Sequence, residues 1–400
     1  MKHSRRLAAG LLAAAGLMGI LGGCRPANVP TDGEASSRAG TPMTTGTAAP
    51  TAPPEEAVTD PVTGVLCVNA NLVGKTDSQF ELPLAGATGY ASVPLSLTAT
   101  AGGTDKTAEL KAGEAFRILE EQGDSWRVET RDGASGWVLH RYAFVNLPDI
   151  LPSIVYDITN ADASVFVSAG KDIPGITGQK LYDSRMLNER LEDNEYLVPV
   201  LYAMAKKIAA AQKAALAKGD TLVIVETFRP LDTQLLVAKQ LGALSDADSE
   251  VRRGISTAPW GIGWFIANQV STHQKGCAMD VTLAKLKTVR RYRSGAYVYS
   301  RASLYEPYEM PTPIHELSSR AVSLAKPVNS RSATAWKAVA AAPTMNEPAL
   351  KLRQYCTDAG LSPLASEWWH FNDLEANAAI GSRYMTTAFQ VADCLTAACP

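Results

Sequence analysis

The alternation of apolar and polar residues divides the chain into a β-rich part and a later part that mixes helices with strands. In residues 61–148, short apolar runs such as 115–119 and 123–129 are separated by turn residues. Asp132-Gly133 is a further turn signal before the run at 136–138. This pattern predicts a small all-β domain over residues 61–148.

The later part begins with a helical pattern and a strand. Apolar residues recur at helical intervals between Asn194 and Lys218 and stop at Gly219, which predicts a helix that ends there. The continuous apolar run at 221–225 is typical of a buried strand. Residues 230–244 predict a second helix, with a proline in its first turn.

The C-terminal pattern completes the prediction of the fold class. Asn346 is a predicted N-cap of a helix, and residues 367–371 form an aromatic, strand-like run. Helices and strands do not alternate regularly, which disfavours a doubly wound parallel sheet. We therefore predict an α+β protein, with a central antiparallel sheet flanked by helices in residues 149–400 and a small all-β barrel in residues 61–148.

The first 23 residues have the pattern of an export signal. Lys2, Arg5 and Arg6 precede an apolar stretch that is too short and too rich in glycine for a membrane span. The stretch ends in Leu-Gly-Gly before Cys24, which resembles the lipobox of bacterial lipoproteins, and that resemblance implies lipidation of the cysteine. We expect an extracytoplasmic protein anchored to the cell membrane through Cys24. The alternative is an ordinary secretory signal followed by an incidental cysteine.

Composition limits the remaining possibilities. Residues 24–60 consist largely of threonine, alanine, proline, serine and glycine, which predicts a disordered linker because few apolar side chains are available for burial. The formal net charge of −2 shows no basic excess, so no nucleic-acid partner is expected. Contact with the membrane is expected through the lipid anchor only.

Two of the five histidines lie in strings that suit a metal site. His273 precedes Asp280 by seven residues, and Glu367 precedes His370 by three residues among bulky apolar groups. Two imidazoles and one carboxylate are ligands of catalytic zinc sites, whose fourth position holds water. The second carboxylate is then free to act as a base. Taken singly, either histidine is more often structural. Neither string contains H-E-x-x-H, which excludes the helical metalloprotease arrangement.

Together the strings resemble the zinc D-alanyl-D-alanine dipeptidases and their D,D- and L,D-carboxypeptidase relatives. The family pattern S-x-H-x-x-G-x-A-x-D is matched at 271–280, the pattern E-W-W-H at 367–370, and an aromatic-Arg-Pro element at 228–230. The resemblance extends over roughly residues 150–375. It implies one Zn²⁺ ion as the cofactor and D-Ala-D-Ala or a peptidoglycan stem peptide as the substrate.

The resemblance also implies roles for the residues that match these motifs. His273, Asp280 and His370 would bind the Zn²⁺ ion. Glu367 would be the general base that takes a proton from the attacking water. Arg229 would stabilise the oxyanion that forms on the scissile carbonyl.

Four further residues are implied on the substrate side. Ser271 would donate a hydrogen bond to the terminal carboxylate of the substrate, and Glu226 would orient the arginine of the aromatic-Arg-Pro element. His315 stands where the dipeptidases carry an aspartate that pairs with the free amine of the substrate, and Glu316 is a carboxylate that could replace it. This departure puts a strict preference for free dipeptides in doubt, and longer stem peptides become an alternative.

The all-β part also has a resemblance of its own. Trp126, Trp137 and the glycines around them resemble the bacterial Src-homology-3-like barrel, which implies binding to the cell wall through residues 61–148. A purely structural spacer is the alternative. Two hypotheses therefore compete for the whole chain: a lipid-anchored zinc peptidase and a non-catalytic cell-wall-binding lipoprotein. Glu367 separates them, because a binding protein has no evident need for a carboxylate beside a zinc ligand.

Overall fold

The structure is a computed structural model that describes residues 58–59, 65–68, 72, 74–75, 79–381 and 388–400. The predicted signal peptide and Cys24 lie outside the described residues. So does the predicted linker, except for residues 58 and 59, which form a short strand. No helix in the described part of the chain is both long enough and apolar enough to cross a membrane.

The described residues contain more β-strands than α-helices. The strands are β1 Val58–Thr59, β2 Leu66–Val68, β3 Thr88–Ala91, β4 Leu95–Thr98, β5 Lys106–Leu110, β6 Ala115–Gln122, β7 Ser125–Thr130, β8 Ser135–Leu139, β9 Ala143–Asn146, β10 Val155–Tyr156, β11 Val167–Ser168, β12 Lys171–Asp172, β13 Arg185–Asn188, β14 Asp193–Tyr196, β15 Pro199–Leu201, β16 Asp220–Glu226, β17 Ala278–Ser294, β18 Tyr297–Pro307, β19 Ser362–Leu364 and β20 Glu367–Asn372. The α-helices are α1 Tyr202–Leu216, α2 Leu231–Ala247, α3 Ser249–Ser256, α4 Ile262–Phe265, α5 Glu347–Asp358 and α6 Leu374–Ile380.

The first large sheet is built around the long strand β17. Strand β17 pairs antiparallel with β16, β18 and β20, and β19 continues the sheet beyond β20. Two neighbours are parallel, β10 on β16 and β2 on β17, so the sheet is mixed and mainly antiparallel. Helices α1 and α5 contact this sheet. The predicted α+β class is therefore confirmed at the level of a mixed fold with a helix-flanked sheet.

The second large sheet contains the predicted all-β segment, but it is not the closed barrel that we predicted. Its strand order is β15-β9-β3-β6-β7-β8-β4-β5, and every pairing in it is antiparallel. Within the described residues no ladder joins the end strands β15 and β5. Strand β15, which comes from beyond residue 149, covers the edge of β9 instead. The all-β segment thus shares a sheet with the part that follows it.

The predicted helix between Asn194 and Lys218 begins later than expected. Its first residues belong to strands β14 and β15, and helix α1 starts only at Tyr202. The reason is tertiary, because Pro199 lacks a backbone N–H and residues 199–201 pair with 144–146 of β9. The end was predicted correctly, since Gly219 follows the helix with a φ of 73°, which favours glycine. The predicted helix at 230–244 and the strand at 221–225 are confirmed as α2 and β16.

A half-buried carboxyl group, that of Glu81, contacts a residue far along the chain and makes stability sensitive to pH. Glu81 accepts a hydrogen bond from the backbone N–H of Ser153 at 2.8 Å and contacts the hydroxyl of the same residue. Burial raises the pKa of Glu81 to about 7. Because the pKa is raised, the folded state keeps this proton up to about pH 7. The unfolded chain loses it near pH 4.5.

We therefore expect Glu81 to lower the free energy of unfolding as the pH rises through this range. Replacement by glutamine, which is neutral at every pH, should leave stability at pH 5 nearly unchanged and raise it by about 1–2 kcal/mol at pH 8. Urea unfolding of both proteins at the two pH values measures this difference. An equal effect of the substitution at pH 5 and pH 8 would contradict the expectation.

Candidate metal centre and substrate cleft

Strand register brings three of the predicted site residues to one place. In the pairing of β16 with β17, Glu226 lies opposite Asp280. In the pairing of β17 with β20, Asp280 lies opposite His370. Directly opposed residues of antiparallel strands have neighbouring side chains. The carboxylate of Asp280 therefore lies between the other two residues, although they are separated by more than 140 positions in the sequence.

His273 reaches the same place from the turn that precedes β17. Gly276 closes this turn by donating its N–H to the carbonyl of His273 at 3.1 Å. Its φ is 62°, and a Cβ atom added there would lie 2.5 Å from the ring of Phe144. Only glycine fits this position, because any side chain would be strained and would collide with the ring. This is the physical reason for the glycine three residues after the histidine.

Hydrogen bonds orient both imidazoles so that each turns one ring nitrogen toward the centre. Nδ1 of His273 lies 2.6 Å from the carbonyl oxygen of Thr227, and Nε2 of His370 lies 3.0 Å from Oδ1 of Asn372. Both partners are acceptors, so these outer nitrogens carry the protons. The inner nitrogens, Nε2 of His273 and Nδ1 of His370, face the centre and stand 3.2 Å apart, and in the neutral rings they carry the lone pairs.

The arrangement of these acceptors fits a divalent metal ion. Nδ1 of His370 is 2.9 Å from Oδ1 of Asp280, and Nε2 of His273 is 3.5 Å from Oδ2 of the same carboxylate. When both imidazoles are neutral, all three groups offer lone pairs to one point, where a cation would be bound. Two nitrogens bound tetrahedrally to one zinc ion are separated by about 3.3 Å, close to the separation of the two imidazoles. His273, Asp280 and His370 could thus hold a metal ion, and we call these three residues the metal group.

The protonation of these three side chains suits metal binding. Burial alone would raise the pKa of Asp280, but interactions with His273, His315 and His370 outweigh it and hold the pKa well below its usual range. Burial lowers the pKa of His273, which favours the neutral ligand form. Burial also acts to lower the pKa of His370, but the interaction with Asp280 outweighs it and raises the pKa. A metal ion bound at Nδ1 of His370 would therefore displace a proton.

Arg229 is buried beside the metal group and is held by two carboxylates. Its Nε donates to Glu226 at 2.6 Å, its Nη2 donates to Asp280 at 3.1 Å, and its Nη1 donates to Gln234 at 2.7 Å. Burial opposes the charge, but Glu226 and Asp280 more than compensate and raise the pKa of Arg229. The guanidinium is therefore always charged. Glu226 is therefore in contact with Arg229, at the place from which it was expected to orient the guanidinium.

A second set of possible metal ligands includes Asp280, but its carboxylates are already paired with Arg229. Glu226, Asp280 and His315 offer ligand atoms within 4.8 Å of one another. Arg229 forms ion pairs with both carboxylates of this group. The positive charge that these groups require is thus supplied by the guanidinium, and the first group is the better metal site.

Sequence reasoning assigned no role to the residues that donate hydrogen bonds to Glu226. Its Oε1 accepts a hydrogen bond from Nδ2 of Asn160 at 2.6 Å and another from the hydroxyl of Tyr182 at 2.8 Å. Thr227 and Asn372, which orient the imidazoles, were missed as well. Asn372 had a usable signal, because it follows His370 by two residues and therefore lies on the same face of β20.

Glu367 lies beside the metal group because of an irregularity in β20. Residues three apart in a regular strand point to opposite faces. Here the pairing of β19 with β20 shifts register between Pro363 and Leu364, and both Glu367 and His370 line the same cleft. Oε2 of Glu367 is 3.7 Å from Nδ1 of His370. Burial raises the pKa of Glu367 to about 8.

His315 occupies a different position from the one expected. It is fully buried and does not line the cleft; its Nε2 lies 3.1 Å from Oδ2 of Asp280, and its ring stacks on Phe166 with centroids 4.2 Å apart. Its φ of 63° is unusual for a residue other than glycine. The expected contact with a substrate amine is therefore corrected to a contact with the carboxylate of Asp280.

Glu316 also differs from the expectation that it contacts substrate. Its Oε1 accepts a hydrogen bond from the N–H of Ala169 at 2.6 Å, and its Oε2 accepts one from the N–H of Gly170 at 2.9 Å. The hydroxyl of Ser318 donates to Oε1 as well. Both oxygens of this buried carboxylate are thus used within the protein, and the residue holds two loops together.

Ser271 lines the cleft, but its hydroxyl is used by a neighbour. Oγ of Ser271 donates to Oε1 of Gln274 at 3.0 Å and accepts the N–H of His273 at 3.3 Å. Nε2 of Gln274 donates in turn to the carbonyl of Arg229 at 2.7 Å. A hydroxyl has one proton, so Ser271 in this arrangement cannot also donate to a substrate carboxylate. Gln274, which sequence reasoning missed, ties the histidine turn to the arginine.

An open cleft of about 260 Å³ leads to the metal group. Residues from α4 and the segment after it, from the histidine turn, from β20 and from α6 line it. Its charged lining residues are Arg229, Lys275 and Arg331 on the positive side, and Glu367 is the one acidic residue among the described lining residues. Cationic side chains therefore outnumber acidic ones among the described lining residues.

Comparison with known proteins agrees with this site. A search of curated proteins finds no significant match to the chain. A family model described as D-Ala-D-Ala dipeptidase matches residues 185–392, a span that contains the metal group, Arg229 and Glu367. Because the match extends over more than half of the chain, the protein belongs to the D-Ala-D-Ala dipeptidase family of peptidases.

Proposed function

We propose that the protein is a zinc metallopeptidase that hydrolyses D-Ala-D-Ala or related peptidoglycan stem peptides. The observation that carries the proposal is the convergence of two lone-pair nitrogens and one carboxylate, from His273, His370 and Asp280, beside the carboxylate of Glu367. A purely structural metal site would be closed by a fourth protein ligand, whereas this group faces an open cleft.

Each side chain of the site has a definite task in this proposal. A zinc ion held by His273, Asp280 and His370 would activate a bound water and polarise the scissile carbonyl. Glu367 takes the proton from the attacking water and passes it to the nitrogen of the leaving amine. Burial raises the pKa of Glu367, which makes its carboxylate a stronger base for the first of these two proton transfers.

Arg229 supplies positive charge where negative charge develops. Its guanidinium lines the cleft and is held in a fixed plane by Glu226, Asp280 and Gln234. A donor that is already oriented stabilises the tetrahedral oxyanion without reorganising during the reaction. The ion pairs with Glu226 and Asp280 hold the guanidinium in this position.

A second candidate function is D,D- or L,D-carboxypeptidase activity on longer stem peptides. The observation that favours it is the absence of a spare carboxylate, since Glu367 is the one acidic residue among the described residues that line the cleft. Neither His315 nor Glu316 lines the cleft. An ammonium group on the substrate therefore has no evident partner, and an acylated amine is accommodated more easily.

The proposal predicts zinc-dependent cleavage of D-configured peptides. Purified protein loaded with zinc should release D-alanine from D-Ala-D-Ala or from an N-acetylated pentapeptide stem, and L-Ala-L-Ala should not be cleaved. Products are identified by mass spectrometry, and a chelator followed by zinc should abolish and then restore the activity. Zinc-loaded protein that cleaves neither D-configured substrate would refute the proposal and leave the wall-binding lipoprotein as the better hypothesis.

We also propose that this activity is located outside the cytoplasmic membrane, with Cys24 lipidated and residues 61–148 in contact with the cell wall. The support for these assignments is the sequence: the export pattern at the N-terminus and the resemblance of the all-β segment to Src-homology-3-like domains. Labelling with a radioactive fatty acid, compared between the natural chain and Cys24→Ala, tests the anchor directly.

A further inference from the structure

One cation in the cleft has no task in the proposed reaction. Lys275 lies two residues after the metal-binding histidine, is partly exposed, and lines the cleft. Its Nζ donates to Oδ1 of Asn377 on α6 at 3.2 Å. Among the described residues, no carboxylate lies within ion-pair distance of this ammonium group. An ammonium group has three donors, so two of them point to the cleft or to solvent.

The backbone holds Lys275 at a fixed distance from the metal group. The residue is enclosed between His273 and Gly276, which are joined by a backbone hydrogen bond of 3.1 Å. Asn377 limits the movement of the long side chain from the other wall of the cleft. A cation that is anchored in this way beside a hydrolytic centre can recognise a charged group of the substrate at a set distance from the scissile bond.

The residue that was expected to bind the terminal carboxylate is not available for it. The hydroxyl of Ser271 donates its proton to the side-chain oxygen Oε1 of Gln274. The same oxygen accepts the backbone N–H of Ser271 at 2.6 Å. Arg229 already has the oxyanion of the scissile carbonyl as its partner in the proposed reaction, and two carboxylates hold it in that position. Arg331, the other cation of the lining, is exposed, and no side-chain contact that would position it is present among the described residues.

We propose that Lys275, positioned by Asn377, forms the subsite for the C-terminal carboxylate of the peptide substrate. The inference rests on the proposed function and deepens it, because it makes the free carboxyl end, and not the free amine, the group by which the protein selects its substrate. The ligand class is a peptide with an unblocked C-terminal carboxylate. Lysine supplies a point charge and donors for such a group.

Binding of uncleaved ligands tests the subsite separately from catalysis. The zinc-loaded Glu367→Gln protein is titrated by calorimetry with N-acetyl-D-Ala-D-Ala and with the C-terminal amide of the same peptide. We expect the carboxylate ligand to bind about tenfold more tightly than the amide. Adding Lys275→Met should remove this preference, and adding Lys275→Arg should retain most of it. The matched control is Lys213→Met, which removes an exposed lysine of α1 that does not line the cleft.

The outcomes separate this inference from the proposed function. Equal affinity for the two ligands, no binding of either, or a preference that is lost in Arg331→Met and not in Lys275→Met would overturn the subsite. Cleavage of peptides by the natural protein without a carboxylate preference would leave the proposed function intact and refute only the subsite. A Lys275-dependent preference without cleavage by the natural protein would support the subsite and refute the peptidase.

Discussion

Replacing Glu367 by glutamine is expected to lower kcat by about 10²- to 10⁴-fold while zinc remains bound. Glutamine has nearly the same shape, but it cannot take a proton from the attacking water. The carboxylate of Glu367 is not one of the three proposed metal ligands, and its Oε2 lies 3.7 Å from Nδ1 of His370. Steady-state kinetics on an N-acetylated stem peptide, together with zinc content by atomic absorption, measure both quantities on one sample.

The matched control for this experiment is Glu375→Gln. Glu375 is an exposed carboxylate of α6 that pairs with Lys207, and it does not line the cleft. Its substitution should leave kcat unchanged. Unaltered turnover in Glu367→Gln would remove the assigned base, and loss of zinc from that variant would show that Glu367 acts as a ligand.

Replacing Arg229 by methionine is expected to lower both stability and activity. Its removal leaves Glu226 and Asp280 buried without their cation, which typically costs about 3–5 kcal/mol in the free energy of unfolding. Loss of one oriented donor near the reacting carbonyl should also reduce kcat by about 10²- to 10³-fold. Urea unfolding and steady-state kinetics of the zinc-loaded proteins measure the two effects.

A second substitution separates the electrostatic cost from the catalytic one. In the double variant Arg229→Met, Glu226→Gln, one of the two uncompensated charges is removed, so about half of the lost stability should return while kcat stays low. Arg229→Lys keeps the charge but cannot bridge both carboxylates, and should be intermediate in stability. Activity that recovers together with stability in the double variant would contradict a direct role of the guanidinium in the reaction.

The local elements were largely predictable, because each depends on a pattern of adjacent residues. Strands β6, β7 and β8 lie where alternating apolar residues and turn signals predicted them. Asn346 caps α5 through a hydrogen bond to the N–H of Ala349. The failures occurred where distant residues compete for the same backbone, as at 199–201, which pair with β9 and delay the start of α1.

The substrate side of the site was the least predictable part. A motif records which residue types are present, but it does not record which hydrogen-bond partners use them. Ser271 and Glu316 have the chemistry to bind a substrate, yet Gln274 and the amides of 169–170 satisfy them first. Competition between internal and external partners is decided by geometry, and that geometry is set by loops far apart in the sequence.

The sequence by itself determined the metal-binding chemistry of this protein. Two imidazoles, an aspartate, a second carboxylate and an arginine in their motifs indicate a metallopeptidase site, because few other residue types provide these ligands and charges. Only the tertiary structure decided which of these groups face the cleft. Strand register places Asp280 between Glu226 and His370, and a shift in the pairing of β20 brings Glu367 to the same side as His370. Register depends on pairings between strands remote in sequence, so no local pattern of residues could have specified it.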